Sequence, residues 1–204
     1  FNNAWSGQKY YNEAAIQMFN LMYTSIPIIA FAAYDKDITT TAARMFPQDY
    51  GDCIRNMHFS SSIFWGWLIT AFIESTIVSV LPLYILNQSD KFGVETSFWD
   101  AGTMTYTAVV IICNMKLLFI QTRWHWSNLV LIIGSMLLWL VSSLLYSGLL
   151  IPLFYQVYGA MQELLSNPSY WGGWIIICTI ILGKDVYFCA LDRMFNYRNY
   201  HIIQ

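Results

Sequence analysis

The sequence predicts an all-α membrane protein built as a bundle of five transmembrane helices. Three observations carry this. Charged residues make up 11% of the 204 residues and hydrophobic ones 57%, whereas ordinary globular chains are about a quarter charged. Five stretches, approximately 16–34, 61–86, 103–120, 127–148 and 171–189, are mostly apolar and match the roughly 20 residues a spanning helix needs. Tryptophan and tyrosine gather at their ends, as at Tyr10 and Tyr11, Tyr34, Trp65 and Trp67, Trp99, Trp124 and Trp126, Tyr170 and Trp171, and Tyr187. Amphipathic rings prefer the headgroup layer, so this is an interfacial belt.

The first stretch contains Asn20, Thr24, Ser25 and Pro27, and it ends in Asp35-Lys36-Asp37. Asn20 and Thr24 are four apart and are expected on one helix face. Pro27 has no N–H to donate and displaces the carbonyl one turn earlier, at Tyr23. A kinked helix with a free carbonyl beside Asn20 and Thr24 is expected. Two uses fit: a polar path for a substrate, or helix–helix hydrogen bonding that repairs the kink.

The second stretch places Glu74 near its middle. A carboxylate at that depth is a functional candidate; its structural alternative is a protonated acid bonded to Ser75 or a facing helix. Lys116 lies in the last turns of the third stretch, where it is expected to snorkel to the interface. In the fourth, Gly134-Ser135, Ser142 and Ser143 have the small size of close-packing positions. The fifth is mostly apolar, with Trp171 and Trp174 at its start and Tyr187 near its end.

Lys36, Arg44, Arg55, Arg123, Arg193 and Arg198 fall on one side of the expected bundle, and only Lys9 and Lys91 on the other. The richer side should face the cytosol. The N-terminal end is then exoplasmic and the C-terminal tail cytosolic. The cytosolic loop 35–60 is too short for an enzymatic domain, and 149–170 should lie along the exoplasmic interface. Residue 1 is Phe, and no charged n-region precedes an apolar h-region, so a signal peptide is not expected and a longer parent chain is.

Soluble-enzyme chemistry has no foothold. The net charge of −2 argues against nucleic acid. There is no phosphate loop, HExxH or GxSxG, and His58, His125 and His201 are scattered without ligand spacing. The four cysteines, Cys53, Cys113, Cys178 and Cys189, show no CxxC, so no metal site is expected. Asn87-Gln88-Ser89 is a glycosylation sequon pressed against a helix end.

Taken in order, the segments resemble the phospholipid-flipping (type IV) branch of the P-type ATPases over nearly the whole chain. "WSGQKYY" is similar to the exoplasmic loop between that family's fifth and sixth helices. "FNLMYTSIPIIAFAAYDKDI" resembles the sixth helix, whose pattern is Y-N-x-x-x-T-S-x-P ending in D-Q-D-V. "GTMTYTAVVIICNMKLLF" resembles the eighth through Tyr106-Thr107, Val109-Val110, Asn114 and Lys116. "WHWSNLVLIIGSMLLWLV" resembles the ninth through Trp126, Gly134-Ser135 and Trp139, and "YHIIQ" the segment after the tenth. Phe19 stands where Phe or Tyr is common, and Lys36 replaces the usual Gln. The position of Glu74 is more often a neutral polar residue or His.

The resemblance implies helices six to ten of a ten-helix membrane domain in an ATP-driven flippase that moves phospholipid from the exoplasmic to the cytosolic leaflet. It implies ATP and Mg in cytosolic domains outside this chain, which has no DKTGT motif, and hence no catalytic or metal-binding residue within it. It implies a two-span accessory subunit docking on 87–102 and 149–170. It also implies a plasma-membrane, Golgi or endosomal location. Cation-pumping relatives place an Asp where Thr24 stands, and carboxylates suit hard cations. Asn20, Thr24, Ser25 and Pro27 are therefore expected to form one wall of a headgroup path. Asp35 and Asp37 are expected to brace the cytosolic loop, while Glu74, Asn114 and Lys116 are further polar sites of structural or functional weight. The alternative is a non-catalytic membrane scaffold, or a truncated product that binds partners without transport.

Overall fold

The computed structural model describes residues 6–36, 40–45, 59–86, 97–122, 124–148 and 157–195. Asp37, the sequon at Asn87, most of loop 35–60 and the 87–96 and 149–156 parts of the expected docking loops lie outside these residues.

Eight α-helices and one π turn are described. They are α1 (Glu13–Met18), a π turn (Phe19–Tyr23), α2 (Ser25–Tyr34), α3 (Thr40–Met45), α4 (Ser61–Leu86), α5 (Phe98–Ile120), α6 (Trp126–Gly148), α7 (Ala160–Ser166) and α8 (Pro168–Phe195). Five units are long and apolar enough to cross a membrane: Glu13–Tyr34, α4, α5, α6 and α8. This is an all-α integral membrane architecture, as expected.

Helix starts follow from local chemistry. Asn12 caps α1, its Oδ1 accepting from the Ala14 N–H at 2.9 Å, so one orphan donor of the first turn is satisfied. The expected third span begins at 103, yet α5 begins at Phe98. A capping box explains the extra residues: Ser97 Oγ accepts from the helix start, and Asp100 Oδ2 accepts from the Ser97 N–H at 2.8 Å. That reciprocal pairing satisfies two orphan donors at once. Pro168 opens α8, where its fixed φ and missing N–H cost nothing. At 28 residues, α8 is about 42 Å long. It exceeds the roughly 30 Å hydrocarbon layer and must tilt or project into the interface.

Helix α5 is the axis of the bundle. Buried residues make up 44% of its most apolar window, against 11% in α4. On one side Met104, Ala108 and Ile112 pack with Val78, Leu86, Met161, Tyr170, Ile177 and Ile181 from α4, α7 and α8. On the other, Tyr106 and Val110 pack with Ala15, Tyr23 and Trp139 from the first span and α6. Tyr106 lies tilted against Trp139 with ring centres 4.4 Å apart, and Tyr23 meets Trp139 edge-on at 5.4 Å.

Two glycines allow close approach. A Cβ at Gly102 would run into the Tyr10 backbone carbonyl, and one at Gly173 into the Met104 and Ile85 side chains. Gly134, expected to be a close-packing position, faces open space; its neighbour Ser135 is the buried one. Residue 134 lies on the face of α6 that no other described element covers, because one residue around a helix is a turn of about 100°.

Candidate functional site

The break in the first span is the most unusual backbone feature. At its centre the Thr24 N–H donates to the Phe19 carbonyl at 3.1 Å, and Thr24 Oγ1 donates to the same oxygen at 2.9 Å. This is the five-residue step of a π turn, and it inserts one residue relative to an α-helix. Asn20 and Thr24 therefore do not share an environment, contrary to expectation. Thr24 is buried with Tyr23 and Pro27, whereas Asn20 is exposed together with Leu21 and Met22 on the side away from the other four spans. Ser25 is half-buried between them.

The Tyr23 carbonyl does lose its helical partner, as Pro27 requires. It is not left free. Asn114 Nδ2 from α5 donates to it at 3.1 Å, and the Ser135 hydroxyl from α6 donates to it as well. Asn114 Nδ2 also donates to the Val110 carbonyl at 2.9 Å. Both partners of that nitrogen are carbonyls, so the amide can point only one way. Asn114 is fully buried and its Oδ1 meets no donor. Of the two uses open at Pro27, helix–helix repair accounts for the carbonyl, while Asn20 is left uncovered by the described residues.

A second polar set sits on the exoplasmic side of this break in the expected orientation. Thr107 Oγ1 donates to the Thr103 carbonyl at 2.8 Å and accepts from Trp139 Nε1 at 3.0 Å and from the Tyr170 hydroxyl at 3.3 Å. One hydroxyl thus joins α5, α6 and α8 with its proton and both lone pairs in use. Tyr23 reaches Ser142 of α6 at 2.7 Å, and the Tyr106 hydroxyl donates to the Ala15 carbonyl of α1.

At the opposite end, four charges meet between α4, α5 and α8. Glu74 pairs with Lys116 at 2.6 Å and with Lys184. Asp185 pairs with Lys116 at 3.1 Å and with Lys184 at 2.9 Å. All four side chains are less than a third exposed. Of the partners open to Glu74, facing helices supply them: Lys116 and Lys184 pair with it, while the Ser75 hydroxyl donates to the Phe72 carbonyl. Lys116 does not simply snorkel, because two carboxylates hold it within the bundle. Lys184 and Asp185 were not singled out from sequence. The available signal was an adjacent Lys-Asp pair inside an apolar run, which the cost of isolated charges in hydrocarbon makes noteworthy. Two open cavities, of about 450 and 620 Å³, flank this quartet and share Trp67, Asp185 and Phe188 in their walls.

Asp35, just past α2, accepts at Oδ2 from the Thr122 hydroxyl at 3.2 Å and from its N–H at 3.4 Å. It thereby ties the end of the first span to the turn between α5 and α6. Lys36 beside it is exposed.

The chain is similar to known proteins along nearly its whole length. The family described as phospholipid-translocating P-type ATPase C-terminal matches residues 1–198. A phospholipid-transporting ATPase of Schizosaccharomyces pombe is 26% identical over the whole chain, and the phospholipid-transporting ATPase DRS2 of Saccharomyces cerevisiae 27%. A probable phospholipid-transporting ATPase of Arabidopsis thaliana is 28% identical over 98% of the chain. The chain spans only 15–16% of the length of these relatives.

Proposed function

The chain belongs to the phospholipid-translocating P-type ATPase C-terminal family, and from that premise we propose that it forms helices six to ten of an ATP-driven phospholipid flippase. In this proposal cytosolic domains beyond the chain bind ATP and Mg and carry out phosphoryl transfer, and α4, α5, α6 and α8 act as the steadier support. The first span supplies one wall of the headgroup path, with its N-terminal end exoplasmic and the chain's C-terminal end cytosolic. Phospholipid moves toward the cytosolic leaflet as helices outside this chain shift. A two-span accessory subunit docks on the exoplasmic loops. The transporter is preferred to a membrane scaffold because the relatives matched along the whole chain are named as transporters.

One observation supports the path most directly. The first span is interrupted at a π turn, and the polar residue that turn leaves uncovered is an amide, Asn20, not a carboxylate. An amide both donates and accepts hydrogen bonds, which suits the phosphate and glycerol oxygens of a headgroup. It offers a dehydrated divalent cation no charged oxygen. Thr24 and Pro27 shape the turn rather than face the cargo, and Ser25 stands at its edge.

The test is lipid-stimulated ATPase activity of the full-length flippase in detergent–phospholipid micelles. Asn20→Ala should lower lipid stimulation several-fold while leaving expression and thermal stability near the parent values. Unchanged lipid stimulation would remove Asn20 from the path.

A further inference from the structure

We infer that Asn114 and Ser135 are positioning residues for the headgroup path: by holding the Tyr23 carbonyl they keep the first span in its π register and so aim Asn20. The inference rests on the path proposed above and adds residues from two other helices that touch no cargo themselves.

Pro27 removes the one N–H that would close the α-helix onto the Tyr23 carbonyl. An unmade hydrogen bond at this depth must be made good, because lipid offers no replacement. Two donors from different helices, Asn114 of α5 and Ser135 of α6, converge on that single oxygen. A carbonyl has two lone pairs, so both are used. The two donors also fix where Tyr23 sits, and Tyr23 is almost fully buried against Trp139 and Tyr106. Thr24 follows immediately and closes the π turn back on Phe19. The chain from Phe19 to Thr24 is therefore pinned at both ends, and Asn20 lies between the pins. Without the donors, the turn can relax toward an α register, which changes the rotation per residue from roughly 80° to 100°. Over the four residues from Thr24 back to Asn20 that is a swing of about 80°. Such a swing would turn the Asn20 amide away from its present direction.

Register and stability can be separated with Pro27. Alanine at that position restores an N–H that can reach the Tyr23 carbonyl, satisfying the oxygen from within its own helix instead of from α5 and α6. In Asn114→Leu, the Tyr23 carbonyl keeps only the Ser135 donor, and the loosened turn should lower the thermal midpoint and raise the half-stimulating lipid concentration by about tenfold. In Asn114→Leu/Pro27→Ala, the midpoint should recover, because the carbonyl again has two donors. The half-stimulating concentration should stay raised, because the tie from α5 that holds Tyr23 and so aims Asn20 is gone.

The measurement is ATPase activity of the full-length flippase in detergent micelles containing dioleoyl-phosphatidylserine, -phosphatidylethanolamine or -phosphatidylcholine in turn, with thermal midpoints taken in parallel. Ser135→Ala serves in place of Asn114→Leu should that variant not fold. Recovery of both quantities together in the double variant would overturn the positioning role and leave only a stabilising bond. Unchanged lipid dependence in Asn114→Leu and Ser135→Ala, with a shift in Asn20→Ala, would overturn this inference while the headgroup path stands. No shift in any of the three would overturn the path itself.

Discussion

Neutralising Glu74 tests whether the four charges between α4, α5 and α8 behave as one unit. Two lysines and two carboxylates sum to zero, and each cation touches both anions. Coulomb attraction at the 2.6 Å Lys116–Glu74 contact is about 6 kcal/mol at an effective dielectric constant of about 20. Most of this is offset by the cost of drawing the charges out of water. The balance changes sign when one partner is lost. Glu74→Gln leaves Lys116 and Lys184 sharing only Asp185, a net charge of +1 among side chains that are 25–29% exposed. An uncompensated, partly buried charge of this kind costs about 3 kcal/mol. Glu74→Gln/Lys184→Gln removes one charge of each sign and leaves the 3.1 Å Lys116–Asp185 pair intact. It should cost about 1 kcal/mol or less, because replacing both partners is often near neutral. The assay is thermal inactivation of the full-length protein in detergent, with loss of monodispersity followed for the two single variants and the double. The double should survive to a higher temperature than either single, with a coupling energy of about 2 kcal/mol or more in the cycle. A double variant as unstable as the sum of its singles would refute the idea that charge balance holds these helices together.

Two further outcomes follow from packing. Thr107→Val keeps the shape of the side chain but leaves Trp139 Nε1 and the Tyr170 hydroxyl without their acceptor; it should destabilise by about 2 kcal/mol, seen as a lower thermal midpoint that Thr107→Ser largely avoids. Gly102→Ala should lower the midpoint by the equivalent of about 1–3 kcal/mol, because its methyl meets the Tyr10 backbone carbonyl, which has no rotamer to escape into; an unchanged midpoint would show that the segment before α1 does not rest on α5.

Much of this architecture was legible from residues alone. A solvent of hydrocarbon demands long apolar helices with aromatic ends, and local composition reports both. Pro27 likewise announced that the Tyr23 carbonyl would lose its partner, since that is a covalent property of proline. The start of α5 could have been found from Ser97 and Asp100, whose spacing of three is the capping-box signal. The π turn could not, because nothing in the Phe19–Thr24 segment itself distinguishes a five-residue step from a four-residue one.

The solvent, the number of crossings, the site of the break and the family can all be read along the chain. These depend on composition, on covalent geometry and on patterns read over neighbouring residues. Which groups answer the break and which answer the charges depends on how the helices pack. Asn114 and Ser135 reach the Tyr23 carbonyl across 91 and 112 residues of chain, and Glu74 finds its lysines 42 and 110 residues away. A buried polar atom requires a partner wherever it sits, but the identity of that partner is set by which helix faces meet.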